Sequence, residues 1–245
     1  TEIPIQPINQ EVPSNSNSLT IAAWNLQIFG QTKANNLTLM EAYTDIINDY
    51  DIIFIQEIRD ESGTAFEKLC ASLPEYDCHI SQRAGRSSSK EQYGLFSRKG
   101  ITITHIVDYT QGFQNIFERP PYSVTFTQNN YTFTATTIHI KPDDAENEIK
   151  ELERVISSNG NQIILGDLNA DCSYFKRDTE FVDWYWLIDD TEDTTTGPTD
   201  CAYDRIIFNH EMSLEIKGHG MDRSITPSMS DHYLVYATIQ TEETK

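Results

Sequence analysis

The stretch QIILGDLNADCSY, residues 162–174, joins an apolar run to a dense group of oxygen-bearing side chains. The run 163–165 is short, apolar and followed by a glycine, which is typical of a buried strand that ends there. Asp167, Asn169 and Asp171 then follow within five residues. A plain turn and one edge of a metal-dependent active site both fit this pattern, so the rest of the chain decides between them.

Other apolar runs also end in side chains that bind metals or transfer protons. IAAW is followed by Asn25, IIFIQ by Glu57 and TATTI by His139, and the pair Asp231-His232 precedes the last run, YLVYATI. In α/β proteins, sites collect outside the ends of strands, where several loops meet. Each residue alone is more often a capping or turn group, but the recurrence favours one shared site.

The residue types at these strand ends indicate hydrolysis assisted by a hard metal ion. Oxygen ligands favour Mg²⁺, Mn²⁺ or Ca²⁺, and the chain has neither the HExxH nor the CxxC spacing of a zinc site. GxGxxG, Walker and GxSxG motifs are also missing from the sequence. A metal ion with two histidines suits cleavage of a phosphate ester, because the metal offsets charge while imidazoles move protons.

Three arginines stand beside these candidate residues, namely Arg59, Arg86 and Arg119. The chain is poor in bases, with 18 Lys and Arg against 38 Asp and Glu and a net charge of −20. This balance argues against a basic surface that wraps nucleic acid, although bound cations or weak binding would still permit action on nucleic acid. The arginines are therefore candidates for phosphate binding, with surface ion pairing as the alternative.

The four cysteines permit two disulfide bridges. Cys70 with Cys78 and Cys172 with Cys201 is the simplest pairing, because each pair is close in sequence. Two bridges would indicate a secreted protein, whereas four reduced thiols would indicate a cytosolic one. No apolar run approaches the roughly 18 residues that span a bilayer, so we expect no membrane partner.

The remaining pattern predicts an α/β fold of two packed mixed β-sheets flanked by helices. Residues 1–18 have the composition of a flexible leader, and residues 19–245 show no break, which predicts a single domain. A hairpin is expected at Asn129-Asn130. A helix is expected at 37–48, with Leu37, Met40, Tyr43 and Ile47 on one face. A second helix is expected at 144–157, with Asp143 or Asp144 as its N-cap and with Ile149, Leu152, Val155 and Ile156 together on one face.

Several stretches taken together resemble the deoxyribonuclease I family, within the endonuclease/exonuclease/phosphatase superfamily. The similarity covers roughly residues 19–240 and is carried by IAAWNLQIFGQTK, YDIIFIQEIRD, GRSSSKEQY, ERPP, TTIHIKP, LGDLNADCSYF, DTTTGPTDCAYDRII and SDHYLVYATI. It implies a four-layer α/β sandwich and a monomeric enzyme that hydrolyses DNA phosphodiesters to 5′-phosphate ends with little sequence preference.

The resemblance also implies roles for individual residues. His232 with Asp204 and His139 with Glu91 would be the general base and general acid, in an order that the sequence leaves open. Glu57 would be the principal carboxylate for Mg²⁺ or Mn²⁺. The implied metal and phosphate ligands around it are Asn25, Asp167, Asn169 and Asp231. The implied DNA contacts are Arg59, Arg86, Arg119 and Tyr203.

Two structural features are implied as well. The Cys172–Cys201 bridge matches the family's structural disulfide, and Asp193, Thr195 and Thr199 match a structural Ca²⁺ loop. The chain departs from the family at Ser89, where an aromatic residue is usual, and at Gly197, which replaces an oxygen ligand of the calcium loop.

Two other functional classes are compatible with the same motifs. One is a related phosphoesterase, such as a sphingomyelinase or inositol phosphatase, although no exposed apolar hairpin or lysine-rich pocket is evident. The other is a non-catalytic toxin subunit on the same scaffold, although both histidines and both of their partner acids are retained.

Overall fold

The computed structural model describes residues 17–86, 89–177, 179–213 and 215–241. The predicted leader falls almost wholly outside these residues, and Ser18 already belongs to the first strand. Among the described residues, no helix has the length and apolar character needed to cross a membrane.

Twelve strands and four α-helices are present in the described parts of the chain. The strands are β1 (Ser18–Phe29), β2 (Ile52–Ile58), β3 (Tyr76–Ile80), β4 (Gln92–Arg98), β5 (Thr102–Asp108), β6 (Tyr122–Gln128), β7 (Tyr131–Thr137), β8 (Asn161–Asp167), β9 (Trp184–Trp186), β10 (Asp204–Asn209), β11 (Ile216–Asp222) and β12 (Leu234–Gln240). The helices are α1 (Gln31–Ala34), α2 (Leu37–Ile47), α3 (Thr64–Ala71) and α4 (Ala145–Val155).

The strands form two six-stranded mixed sheets. The first has the order β11-β12-β1-β2-β4-β3, and the second has the order β5-β6-β7-β8-β10-β9. Each sheet contains one parallel pair, β1 with β2 and β7 with β8, among antiparallel neighbours. A helix crosses over between the two strands of each parallel pair, as parallel pairing requires.

The apolar residues of each central strand alternate between two packing interfaces. In β1, Ile21 and Ala23 face the second sheet, while Ala22 and Trp24 pack beneath α1, α2 and α3. In β8, Ile164 packs under α4 and its neighbours in the run face the first sheet. The four layers are therefore helices, the first sheet, the second sheet and a helix, with an apolar interface between each neighbouring pair. The predicted four-layer sandwich is confirmed.

The local predictions are confirmed in part. Asn129 and Asn130 link β6 to β7 with φ values of 50° and 68°, as a two-residue hairpin turn requires. Asp144 occupies the cap position of α4, but its carboxylate accepts a bond from the Asn147 side chain instead of capping the helix. Of the residues expected on one face of α2, Met40, Tyr43 and Ile47 are buried, whereas Leu37, the first residue of the helix, is 84% exposed.

Both predicted disulfides are formed. Cys70–Cys78 ties α3 to the edge strand β3, and Cys172–Cys201 ties the loop after β8 to the segment before β10. Asp171 lies beside the second bridge and accepts a hydrogen bond from the backbone of Ala202. Its carboxylate therefore stabilises this loop.

Candidate active site

Within residues 162–174, the end of strand β8 closely approaches the end of strand β7. Gly166 has φ 146°, and a Cβ there would lie 2.4 Å from the carbonyl oxygen of Ile138. Only glycine fits this position, because any side chain would separate the end of β8 from the end of β7. The contact places Asp167 beside His139, with Oδ2 3.3 Å from the imidazole Nε2.

His139 is held from behind by Glu91, whose Oε2 lies 2.8 Å from the imidazole Nδ1. Burial opposes ionisation of Glu91, but His139, Arg119 and Arg59 together lower its pKa to about 2. Glu91 therefore stays charged, and it fixes both the ring orientation and the tautomer of His139.

His232 forms a second pair of the same kind with Asp204, whose Oδ2 lies 2.7 Å from the imidazole Nδ1. Burial opposes protonation of His232, but Asp204, Asp167 and Asp231 raise its pKa to about 10. Burial and the nearby Asp167 charge raise the pKa of Asp204, against the effect of the imidazole.

Asp167 lies between the two imidazoles. Its Oδ2 is 3.3 Å from Nε2 of His139 and 3.6 Å from Nε2 of His232. Burial opposes ionisation of this carboxyl, but His232, His139 and Asn25 lower its pKa. Because each histidine turns Nδ1 toward its own carboxylate, the two Nε2 atoms converge on one point.

Glu57 extends the site along β2. Its backbone has φ 60°, a left-handed conformation that is uncommon outside glycine and is often found at functional sites. Its carboxylate accepts hydrogen bonds from the Asn25 side chain at 3.2 Å and from the backbone of Ile28 at 2.8 Å. The same Asn25 nitrogen donates to Asp167 at 3.0 Å, so Asn25 sets the spacing of two carboxylates.

The three candidate arginines lie in different environments. Arg59 bridges Glu57 at 3.0 Å and Glu91 at 2.9 Å and keeps part of its side chain exposed. Arg119 points inward, where it donates to the carbonyl oxygens of His139 and Ile140. Arg86 lies outside this group and donates to the carbonyl of Gln114. Arg119 therefore supports His139 from behind and also lies 3.6 Å from Glu91, while Arg59 bridges Glu91 and Glu57.

The other predicted ligands surround this centre. Asn169 is buried and donates from its side chain to the carbonyl of Ile140. Asp231 is at the rim, with its side chain 52% exposed and Oδ1 3.8 Å from His232 Nε2. Tyr203 precedes Asp204 and packs on Tyr174 with ring centroids 5.6 Å apart. Burial, Tyr174, Asp171 and Asp167 raise the Tyr203 pKa.

The predicted calcium loop folds into a compact hydrogen-bonded turn. Asp193 accepts bonds from the backbone and hydroxyl of Thr195, each at 2.9 Å, and the Thr195 hydroxyl contacts Thr199. Thr195 also pairs with His232 in an isolated bridge. The turn therefore supports the His232 segment directly.

Sequence reasoning missed several residues that position the site. The Ser230 hydroxyl donates to the carbonyl of Asn25 and accepts from the backbone of His232. The Tyr93 hydroxyl accepts from the backbone of His139. The Ser89 hydroxyl, at the position where the family usually has an aromatic residue, contacts Arg59. Proximity to SDH in sequence could have indicated Ser230, but Tyr93 becomes relevant only through folding.

The donor set suits a hard divalent cation. Three groups of closely spaced ligand atoms are present among the described residues, and two of them lie in this site: Glu57 with Glu91 and His139, and Asp167 with Asp204 and His232. A third group contains Asp171 and two cysteines, but those sulfurs are joined in a disulfide. Carboxylate and amide oxygens match the preferences of Mg²⁺ and Mn²⁺, and Glu57, Asp167 and Asn25 supply them here.

Comparison with known proteins agrees with this geometry. The model of the endonuclease/exonuclease/phosphatase family matches residues 22–232. Deoxyribonuclease-1 of Bos taurus is 32% identical over 260 residues, which cover 91% of this chain and 92% of that protein. Deoxyribonuclease-1 of Equus caballus is 33% identical over 264 residues, with the same coverage of both chains.

The solved structures support the fold. An endonuclease/exonuclease/phosphatase from Bacteroides vulgatus superposes with a TM-score of 0.67 at 17% identity, covering 92% of this chain and 99% of that one. The D. rerio TDP2 complexed with single-strand DNA product superposes with a TM-score of 0.63 at 14% identity, covering 91% and 99% of the two chains.

Proposed function

Because the chain belongs to the endonuclease/exonuclease/phosphatase family and, within it, to the deoxyribonuclease I branch, we propose that it is a secreted, divalent-metal-dependent endonuclease. It hydrolyses DNA phosphodiesters to 5′-phosphate ends with little sequence preference and acts as a monomer. The observation that carries this proposal is the pair of carboxylate-backed histidines whose Nε2 atoms converge on Asp167. Two disulfides are compatible with secretion.

Glu57 is the principal residue that would hold Mg²⁺ or Mn²⁺, together with Asp167. Asn25 fixes the distance between them, while Asn169 and Asp231 complete the surroundings. When bound, such an ion offsets negative charge on the phosphate oxygens and thereby favours hydrolysis. A Ca²⁺ ion at Asp193, Thr195 and Thr199 would have a structural role, since these residues brace the His232 segment.

The two histidines act on opposite sides of the scissile phosphate. One imidazole accepts a proton from the attacking water at its Nε2, and the other donates a proton from its Nε2 to the leaving oxygen. Glu91 and Asp204 stabilise whichever ring is charged. Arg59 and Tyr203 contact the DNA at the entrance, and Arg86 contacts it farther out. Arg119 acts indirectly by holding the backbone of His139.

The test is nicking of a supercoiled plasmid in Mg²⁺, Mn²⁺, Ca²⁺ or EDTA, alongside a phosphate monoester and sphingomyelin. We expect nicking with Mg²⁺ or Mn²⁺, none with EDTA, and little action on the other two substrates. End labelling of the product should reveal 5′-phosphates. Preferential hydrolysis of the monoester or the lipid would contradict the proposal, and so would nicking that persists in EDTA.

A further inference from the structure

The end of β1 has an unusual backbone beside Glu57. Its pairing with β2 shifts register between Asn25 and Phe29, which marks a bulge. Two consecutive residues inside it are left-handed, Gln27 with φ 45° and Ile28 with φ 57°. The second is notable because a β-branched side chain disfavours this conformation strongly.

Side chains of the candidate active site hold this strained segment. The backbone nitrogen of Gln27 donates to the Asn25 side chain at 2.8 Å, and that of Ile28 donates to the Glu57 carboxylate at 2.8 Å. The carbonyl of Phe29 accepts from the backbone of Arg59, also at 2.8 Å. The bulge is therefore tied at three points to the residues proposed to bind the metal and the phosphate.

The Ile28 side chain is presented to solvent at this place. It is 56% exposed, although large apolar side chains in the described residues are mostly buried. Neither burial nor core packing explains an isoleucine here, and glycine or asparagine would fit the backbone better. An exposed apolar group on a braced, left-handed bulge beside the metal carboxylate has the features of a ligand contact.

We propose that Ile28 is a substrate-contact residue that packs against the apolar face of a deoxyribose or base step next to the cleaved phosphate. This inference rests on the proposed nuclease function. Charged and polar groups around Glu57 and Arg59 can hold phosphate, but they offer no surface for the apolar parts of the polymer. Apolar side chains that contact sugars and base steps are a recognised mode of DNA binding. Ile28 would therefore favour polymeric DNA over a small phosphodiester.

The test compares Ile28→Gly and Ile28→Asn with wild type on plasmid DNA and on bis(p-nitrophenyl) phosphate. Both replacements tolerate a left-handed backbone, so the hydrogen bond to Glu57 is retained while the apolar surface is lost. We expect the ratio of kcat/KM for DNA to kcat/KM for the small diester to fall roughly five- to tenfold, mainly through KM. Leu37→Asn is the matched control, because Leu37 is 84% exposed and lies in α2.

The outcomes separate the contact from other roles. A fall in activity on both substrates with an unchanged ratio would mean that Ile28 only positions Glu57, and it would overturn the inference. An unchanged KM for DNA would also overturn it, as would an equal loss in the Leu37 control. Failure of the wild-type protein to cleave DNA, with activity on the small diester retained, would instead contradict the proposed function.

Discussion

Replacing Glu91 with glutamine tests the electrostatics of the site without changing its shape. The amide is isosteric with the carboxylate but removes a charge that is 2.8 Å from His139, 2.9 Å from Arg59 and 3.6 Å from Arg119. Glu91 is 2% exposed, so water screens these interactions little.

The expected magnitude follows from the lowered pKa of Glu91. Its fall from the usual 4.5 to about 2 corresponds to about 3 kcal/mol of stability at neutral pH. Because the pKa is lowered in the folded state, this stabilisation is complete above pH 4.5 and is lost as the pH falls toward 2. At pH 3 the remaining contribution is about 1 kcal/mol.

Urea unfolding in EDTA at pH 7 and pH 3 measures this difference. We expect Glu91→Gln to unfold more easily than wild type by about 3 kcal/mol at pH 7 and by about 1 kcal/mol at pH 3. Glu61→Gln, at an exposed residue of the loop before α3, is the control and should behave as wild type at both pH values. An equal loss of stability at both pH values would refute the reasoning, because packing and not charge would then be the cause.

Three further predictions concern the scaffold and the solvent. Removing Cys172–Cys201 by double alanine substitution should lower the unfolding free energy by about 3.6 kcal/mol, and removing Cys70–Cys78 should lower it by about 2.5 kcal/mol. The first bridge stabilises more because it closes the longer loop, with a sequence separation of 29 residues against 8. Equal losses in calorimetry would count against this. Gly166→Ala should lower the melting temperature and activity together, and a variant with wild-type stability would disprove the close approach. Nicking activity should stay flat or rise into moderate salt, since screening relieves repulsion between DNA and a chain of net charge −20; a steep fall between low and physiological salt would contradict this.

Most of the fold could be predicted because the central strands have strong apolar patterns. The strands without a comparable apolar run are β3, β9 and β11, which all lie at sheet edges. Edge strands are half solvated, β9 is only three residues long, and β11 contains Gly218 and Gly220, so no long apolar run marks them. Helix α3 was also missed, because it is only eight residues long and begins after Gly63 instead of a side-chain cap.

For the candidate site, the sequence predicts which residues lie close together. The proximity of His139, Asp167 and His232 at strand ends could be predicted, because the order of the motifs and the parallel crossover connections allow few other topologies. The direction of long side chains could not be predicted, because it depends on partners distant in sequence. Arg119, for example, turns inward because the carbonyl oxygens of His139 and Ile140 accept from it.

The proposed mechanism assigns the proton transfers of phosphodiester hydrolysis to two carboxylate-backed histidines. Plasmid nicking in Mg²⁺ by His139→Ala and His232→Ala, with His105→Ala as an exposed control on β5, measures their contribution. We predict that each site variant loses between about 10² and 10⁴ in rate while its near-ultraviolet circular dichroism and melting temperature show a folded protein, and that the control keeps wild-type activity. Near-wild-type nicking by either folded site variant would contradict the account.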